Sequence, residues 1–148
     1  MIRVLSLSTL PMLAAVLLAP ALAPSEAAAA SRHVLRPNAA GGITATNMRA
    51  VRGPYGGYAA RAGATSFQPD GSASHHGRMS AVGARGAVTS SGSATRDAAG
   101  HVTQSRSTTA TSALTGNTIQ RSTSYSSDGG LTRSATCYSA AGAVIPCR

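Results

Sequence analysis

The chain lacks lysine and tryptophan and is poor in acidic and aromatic residues. Its 148 residues include four acidic side chains, one phenylalanine and four tyrosines, and all thirteen basic residues are arginines. A phosphate-binding loop needs a lysine, and a reader of single-stranded nucleic acid normally uses aromatic stacking platforms. The sequence therefore predicts no cofactor site and no specific nucleic-acid motif.

Large apolar residues are also scarce. After residue 30, Val, Leu, Ile, Phe, Met and Tyr together account for only 19 of 118 residues. Such a chain cannot build a thick hydrophobic core, so its composition is typical either of a thin, repetitive β-structure or of intrinsic disorder.

The N-terminal 30 residues have the pattern of a secretory signal peptide. A short start with Arg3 precedes an almost wholly apolar stretch, 4–22, and small residues follow up to Ala30. Pro11 and Pro20 argue against the alternative of a permanent membrane anchor. We expect cleavage near Ala30, export to the periplasm, the cell surface or the medium, and no transmembrane segment in the mature chain.

The chain after the expected signal peptide carries an excess of positive charge. The formal net charge is +9, and it stays +9 after cleavage because Arg3 and Glu26 are removed together. An excess of this size favours anionic partners such as acidic envelope polysaccharide, lipid head groups or extracellular nucleic acid. Because the arginines are scattered, the alternative is a simple solubilising surface.

Residues 58–142 contain a glycine-punctuated unit of 29 to 30 residues that occurs three times. The unit openings and the internal turns recur in register, at Gly57, Gly86 and Gly116 and at Gly71, Gly100 and Gly130 respectively. A repeat of this kind predicts an array of one supersecondary unit.

Each unit is predicted to be a β-hairpin. Asp70, Asp97 and Asp128 precede the internal glycines, and Asp followed by Gly favours tight turns. The stretches between turns are rich in Ser and Thr, and the branched Thr side chain favours strands. The expected fold is all-β, a repetitive antiparallel meander of about six long strands in three two-strand units over 58–148. Residues 31–57 are expected to be a flexible segment, in which 43–51 forms a short strand or frays.

The last unit predicts a face of hydroxyl groups. Folding about residues 115–117 places Thr109 opposite Thr123 and Ser107 opposite Tyr125, and the next turn places Thr132 beside Tyr125. Tyr125 and Tyr138 then border this face. The two faces of such strands are similar, so the register is weakly specified.

Cys137 and Cys147 are the only cysteines, and in an exported chain they predict a disulfide that caps the C-terminal hairpin. The alternative of a redox-active pair lacks the C-x-x-C spacing.

The remaining polar residues predict no site. His75 and His76 would point to opposite faces of a strand, and a metal site at these residues, at His33 or at His101 would need further Cys or carboxylate ligands, which are scarce. The aspartates are turn residues and not credible acids or bases, so we expect no catalytic residue and no enzyme.

Two resemblances to known families follow from these motifs. Residues 95–103 and 125–132, with Asp97-Ala98-Ala99-Gly100 and Asp128-Gly129-Gly130, resemble half-units of YD (Rhs-type) repeats, which build long β-sheet shells. Residues 52–147 resemble the small exported Gly/Ser/Thr/Ala-rich β-repeat proteins of proteobacteria, with an Arg-Gly opening, Asp-Gly turns and a C-terminal Cys pair. The resemblance implies an exported location and a β-repeat shape.

These observations predict a non-enzymatic exported structural or surface protein that associates with itself through exposed sheet edges, such as those at Ile119 and Val144. A binding module for an anionic polymer or a regular surface is the first alternative. A disordered secreted linker is the second.

Overall fold

The computed structural model describes residues 28–53 and 55–147, and these residues form one all-β unit. Nine strands are present in this part of the chain: β1 (Ala28–Pro37), β2 (Ile43–Arg52), β3 (Tyr58–Phe67), β4 (Ala73–Gly83), β5 (Gly86–Arg96), β6 (Val102–Ser112), β7 (Thr118–Ser126), β8 (Gly130–Tyr138) and β9 (Val144–Ile145). The predicted all-β class is confirmed.

Every strand pairs in antiparallel fashion with its neighbour in sequence, so the sheet is a meander in the order β1 to β9. The strands β1 to β8 are each 9 to 11 residues long. Short turns can join antiparallel neighbours directly, which is why a strand-and-turn repeat produces this topology. The sheet is open at both edges.

The number of strands differs from the prediction of about six. β3 to β8 are the six strands expected from the repeat, but β1 and β2 occupy the segment 31–57 that was expected to be flexible, and β9 is added at the C-terminus. The expected signal peptide, 1–30, lies outside the described residues except for Ala28–Ala30. These three residues belong to β1, so a cut near Ala30 leaves a shorter β1.

The turn between β1 and β2 explains the additional pair of strands. The amide N–H of Gly42 donates to Asn38 Oδ1 at 2.9 Å, and the N–H of His101 donates to Asp97 Oδ1 at the same distance. Asn38 therefore takes the position that aspartate has in the other hairpin turns, because both side chains accept local backbone hydrogen bonds. Gly41 extends the glycine series to 41, 71, 100 and 130, so the array contains a fourth hairpin.

The observed register differs from the predicted one in the last unit. Thr109 lies opposite Gln120, not Thr123, and Tyr125 lies opposite Gln104 and Leu131. The reason is the loop after β6, which runs through 113–117 and is closed by a hydrogen bond from Ser112 N–H to the Asn117 carbonyl at 2.9 Å. Compared with a fold centred on 115–117, the observed pairing of β6 with β7 is shifted by three residues. Because this shift is odd, the side chains of β7 lie on the opposite face from the predicted one.

The prediction also placed Ser107 opposite Tyr125 and Thr132 beside Tyr125. In the structure Ser107 pairs with Ser122, and Thr132 pairs with Ser124. Tyr125 therefore lies on the face opposite the hydroxyl groups, whereas Tyr138 lies on the hydroxyl face at its border.

The sheet is a single layer with no core. Among the described residues no apolar side chain is buried, and Ser90, 7% exposed, is the one buried residue. The hydroxyl of Ser90 is satisfied by the Ser107 carbonyl at 3.1 Å and by the Thr108 hydroxyl at 2.9 Å. The stability of the monomer must therefore come mostly from backbone ladders and cross-strand pairs.

Candidate functional site

One face of β5 to β8, here called the hydroxyl face, carries sixteen Ser and Thr residues at twenty positions and no charged residue. Direct hydrogen bonds between side chains on neighbouring strands order these hydroxyls. The four bonds are Ser93–Ser105 (3.0 Å), Thr95–Thr103 (2.7 Å), Thr111–Thr118 (2.9 Å) and Ser122–Ser134 (2.7 Å). Apart from the phenol of Tyr138 at its border, the face has no titratable group and offers neutral donors and acceptors.

The opposite face, here called the arginine face, carries an apolar row along one margin. The row consists of directly paired residues on all nine strands: Ala29, Val51, Ala59, Ala81, Val88, Ala110, Ile119, Cys137 and Ile145. From β2 onwards it lines a groove of about 1120 Å³. Apart from Arg85, Arg121 and Tyr58, the residues that line the groove have no ionisable side chain, so it suits apolar contact.

Six arginines project from the arginine face at alternate strand positions: Arg49, Arg61, Arg96, Arg106, Arg121 and Arg133. No arginine of the described residues forms an ion pair with a carboxylate, and the single salt bridge there joins His101 to Asp97. The described aspartates all lie in turns. Positive charge therefore lies on the arginine face, and negative charge lies in the turns that follow β3, β5 and β7.

A depression in the arginine face is here called the glycine trough. Its floor is the row Gly63, Gly77 and Gly92, which are consecutive partners across β3, β4 and β5, and Asn47 and Arg106 occupy the two ends of the same row. The trough has a volume of about 530 Å³. Its length from end to end is about 19 Å, because four strand spacings of about 4.8 Å separate β2 from β6.

Two of the turn aspartates, Asp70 and Asp97, accept hydrogen bonds from their own loops that lower their pKa. The pKa of Asp97 lies below its ordinary value, first because of the side-chain hydrogen bond from His101 and then because of the His101 backbone N–H. The pKa of Asp70 is lowered in the same way by the side chain and the backbone N–H of Ser72. In each case the hydrogen bonds favour the charged form. Asp128 lies in the turn between β7 and β8.

Five of the six glycines predicted from the repeat have left-handed backbone: Gly71, Gly86, Gly100, Gly116 and Gly130. At the sixth position, Gly57, the left-handed residue is its neighbour Gly56 (φ 78°). The predicted spacing therefore located the turns to within one residue.

The histidines are separated as the sequence predicted. His75 projects from the arginine face and His76 from the hydroxyl face, because adjacent residues of β4 point in opposite directions. No three side chains of the metal-binding types come together within the described residues.

Cys137 and Cys147 form a disulfide with a Cα–Cα distance of 5.3 Å, which confirms the predicted pair. The bond ties β8 to the residues that follow β9. Since β9 contributes only two residue pairs, the disulfide is the main restraint on this end of the chain.

Sequence reasoning missed the apolar row and the glycine trough. Gly63 and Gly92 were visible as equivalent positions of the repeat, but Gly77 is not part of that series. Only the register of three strands brings these glycines together.

Comparison with family models, with curated proteins and with solved structures gave no match to this chain. Within the described residues, no helix has the length and apolar character needed to cross a membrane.

Proposed function

We propose that the chain is a non-enzymatic exported structural or surface protein that associates with further copies of itself through its open sheet edges. The observation that carries the proposal is the C-terminal edge. β8 has nine residues, but only Cys137 and Tyr138 pair with β9, so seven positions have no partner on that side among the residues that the structure describes.

The direction of the backbone groups along this edge follows from the last turn. The N–H of Ser139 donates to the Ala143 carbonyl at 2.8 Å, so residue 139 points towards the β9 side. Backbone groups alternate along a strand, so Leu131, Arg133 and Ala135 point the same way. An unpaired row of this kind is a template for another strand.

The other edge offers a matching partner. Among the described residues β1 pairs with β2 alone, so its other side is a second unpaired row, of which 31–37 remain after a cut near Ala30. Joining β8 of one copy to β1 of the next repeats without closing, which produces an extended assembly. Ile119, predicted as an edge position, instead pairs on both sides with Ala110 and Cys137.

The absence of a core supports association. A sheet in one layer leaves both faces in water, and stable β-architectures normally cover at least one face. Longer sheets and stacked copies bury surface that the monomer exposes, including the charge-free hydroxyl face.

The experiment is sedimentation velocity of the oxidised chain over a range of concentrations, with two variants at one position. Ala135→Pro removes an outward N–H without breaking the ladder to β7, and Ala135→Ser is the matched control that keeps the N–H. We expect the wild type and Ala135→Ser to form growing oligomers and Ala135→Pro to remain monomeric, because the β8 edge of every copy is blocked. A wild type that stays monomeric, or a proline variant that assembles equally, contradicts the proposal.

A further inference from the structure

The glycine trough brings like charges into direct opposition. Arg49 and Arg61 are cross-strand partners on β2 and β3, and Arg106 closes the far end of the trough. Like charges placed opposite each other destabilise a sheet. An anion lying between the two guanidinium groups would remove this repulsion.

The arginines of the trough have free hydrogen-bonding capacity. No described arginine pairs with a carboxylate, and the exposed side chains of Arg49, Arg61 and Arg106 keep their planar donor groups accessible. A guanidinium group presents donors in a fork that matches the two oxygens of a carboxylate. The trough therefore provides several forks in one depression.

An oriented histidine adds a further hydrogen-bonding group to the trough. The Nδ1 atom of His75 shares a hydrogen bond with the Thr65 hydroxyl at 2.8 Å, which fixes the ring across the trough floor. A Cβ added at Gly63 would lie 3.3 Å from Cε1 of His75, and one added at Gly77 would lie 3.2 Å from Nε2. Glycine at these positions thus makes room for the ring, whose Nε2 lies over the floor.

We propose that the glycine trough binds an acidic polysaccharide, with carboxylate groups on Arg49, Arg61 and Arg106 and sugar hydroxyls on Asn47 and His75. The volume of about 530 Å³ falls in the range of small-ligand pockets. The combination of charged forks with neutral donors and acceptors suits a polymer that carries both carboxylates and hydroxyls.

A polysaccharide fits better than a nucleic acid because no Phe, Tyr or Trp side chain lines the trough. Proteins that bind single-stranded nucleic acid use aromatic platforms for stacking in addition to a basic groove. The site does not depend on self-association, since the residues assigned to the ligand, Asn47, Arg49, Arg61, His75 and Arg106, belong to β2, β3, β4 and β6 of one chain.

The test is a binding titration of the full oxidised chain with polygalacturonate. The two comparison polymers are neutral dextran and a DNA that carries the same total charge as the polygalacturonate. Two variants each remove three exposed arginines, one set from the trough and one from outside it: R49Q/R61Q/R106Q and R36Q/R52Q/R85Q. Three exposed charge contacts predict an approximately 30-fold loss for the trough variant. We expect a loss of less than about 3-fold for the control variant, which has the same net charge.

Equal losses in the two variants would overturn the proposal, because they indicate diffuse charge attraction without a site. Binding of DNA more tightly than polygalacturonate at the same ionic strength would also overturn it. A measurement on the wild type guards against misfolding of the variants: short oligogalacturonates should shift the NMR signals of Asn47, His75 and Gly77. Shifts spread evenly over all strands would contradict the assigned site.

Discussion

The disulfide offers the sharpest test of how the end of the sheet is stabilised. Replacing both Cys137 and Cys147 with alanine removes a cross-link between residues separated by 10 positions. In the loop-closure description, a loop of this length stabilises the folded state by about 2.7 kcal/mol at 25 °C. The two residue pairs of β9 cannot replace this contribution, so we expect the alanine variant to lose most of it.

The assay is urea denaturation followed by circular dichroism, at concentrations where the chain is monomeric. With a denaturant slope of about 1–3 kcal/mol/M, the expected loss moves the unfolding midpoint down by about 1–3 M. Wild-type protein that has been reduced and alkylated is the control and should match the alanine variant. A midpoint that moves by less than a few tenths of a molar unit would refute the reasoning, because it would show that β8 and β9 do not unfold together with the rest of the sheet.

Two further predictions concern the turns. Gly86→Ala should destabilise the fold by several kcal/mol, because φ is 138° and the added Cβ would overlap the Thr111 carbonyl. Gly83→Ala is the matched control and should be neutral or slightly stabilising, because the space around Gly83 is open. Thermal unfolding of the two variants tests the difference. The pKa of Asp97 is lower in the folded state than its ordinary value of 3.8. Its carboxylate therefore stabilises the fold at pH values above the pKa of the unfolded state, and this contribution is lost as the pH falls through the pKa of the folded state. We expect His101→Ala to raise the pKa of Asp97 towards its ordinary value, which an NMR titration measures, and an unchanged pKa would contradict the contact.

Turn chemistry was sufficient to predict most of the architecture. Asp70, Asp97 and Asp128 with their following glycines locate three hairpins, and antiparallel pairing of neighbours follows from the short connections. The first hairpin was missed because it begins with Asn38, which makes the same loop hydrogen bonds as aspartate without adding to the Asp-Gly pattern.

The register required information that local patterns do not contain. The faces of β6 were assigned correctly, but the connection between the paired residues Thr111 and Thr118 is three residues longer than assumed, which displaced β7 and moved Tyr125 to the opposite face. In a sheet with a hydrophobic core, the large apolar residues must all point to the buried face, and this fixes the register. The described sheet has no such core, so the residue types distinguish poorly between neighbouring registers.

The glycine trough depends entirely on that register. Arg49 and Arg61 lie in different hairpins, and Gly63, Gly77 and Gly92 lie on three successive strands. Scattered arginines along the sequence become a cluster only when alternation and pairing are both known, which is why the sequence suggested a general anionic partner but no location for it.

Amide hydrogen exchange at the C-terminal edge tests the central proposal most directly. In dilute solution, the N–H groups of Leu131, Arg133 and Ala135 should exchange rapidly, while Thr132 and Ser134, which point to β7, should be protected. As the concentration rises, we predict protection of the first three amides, because a strand from another copy pairs with them. Rapid exchange at every concentration would contradict self-association through this edge, and protection in the most dilute sample would contradict an open edge.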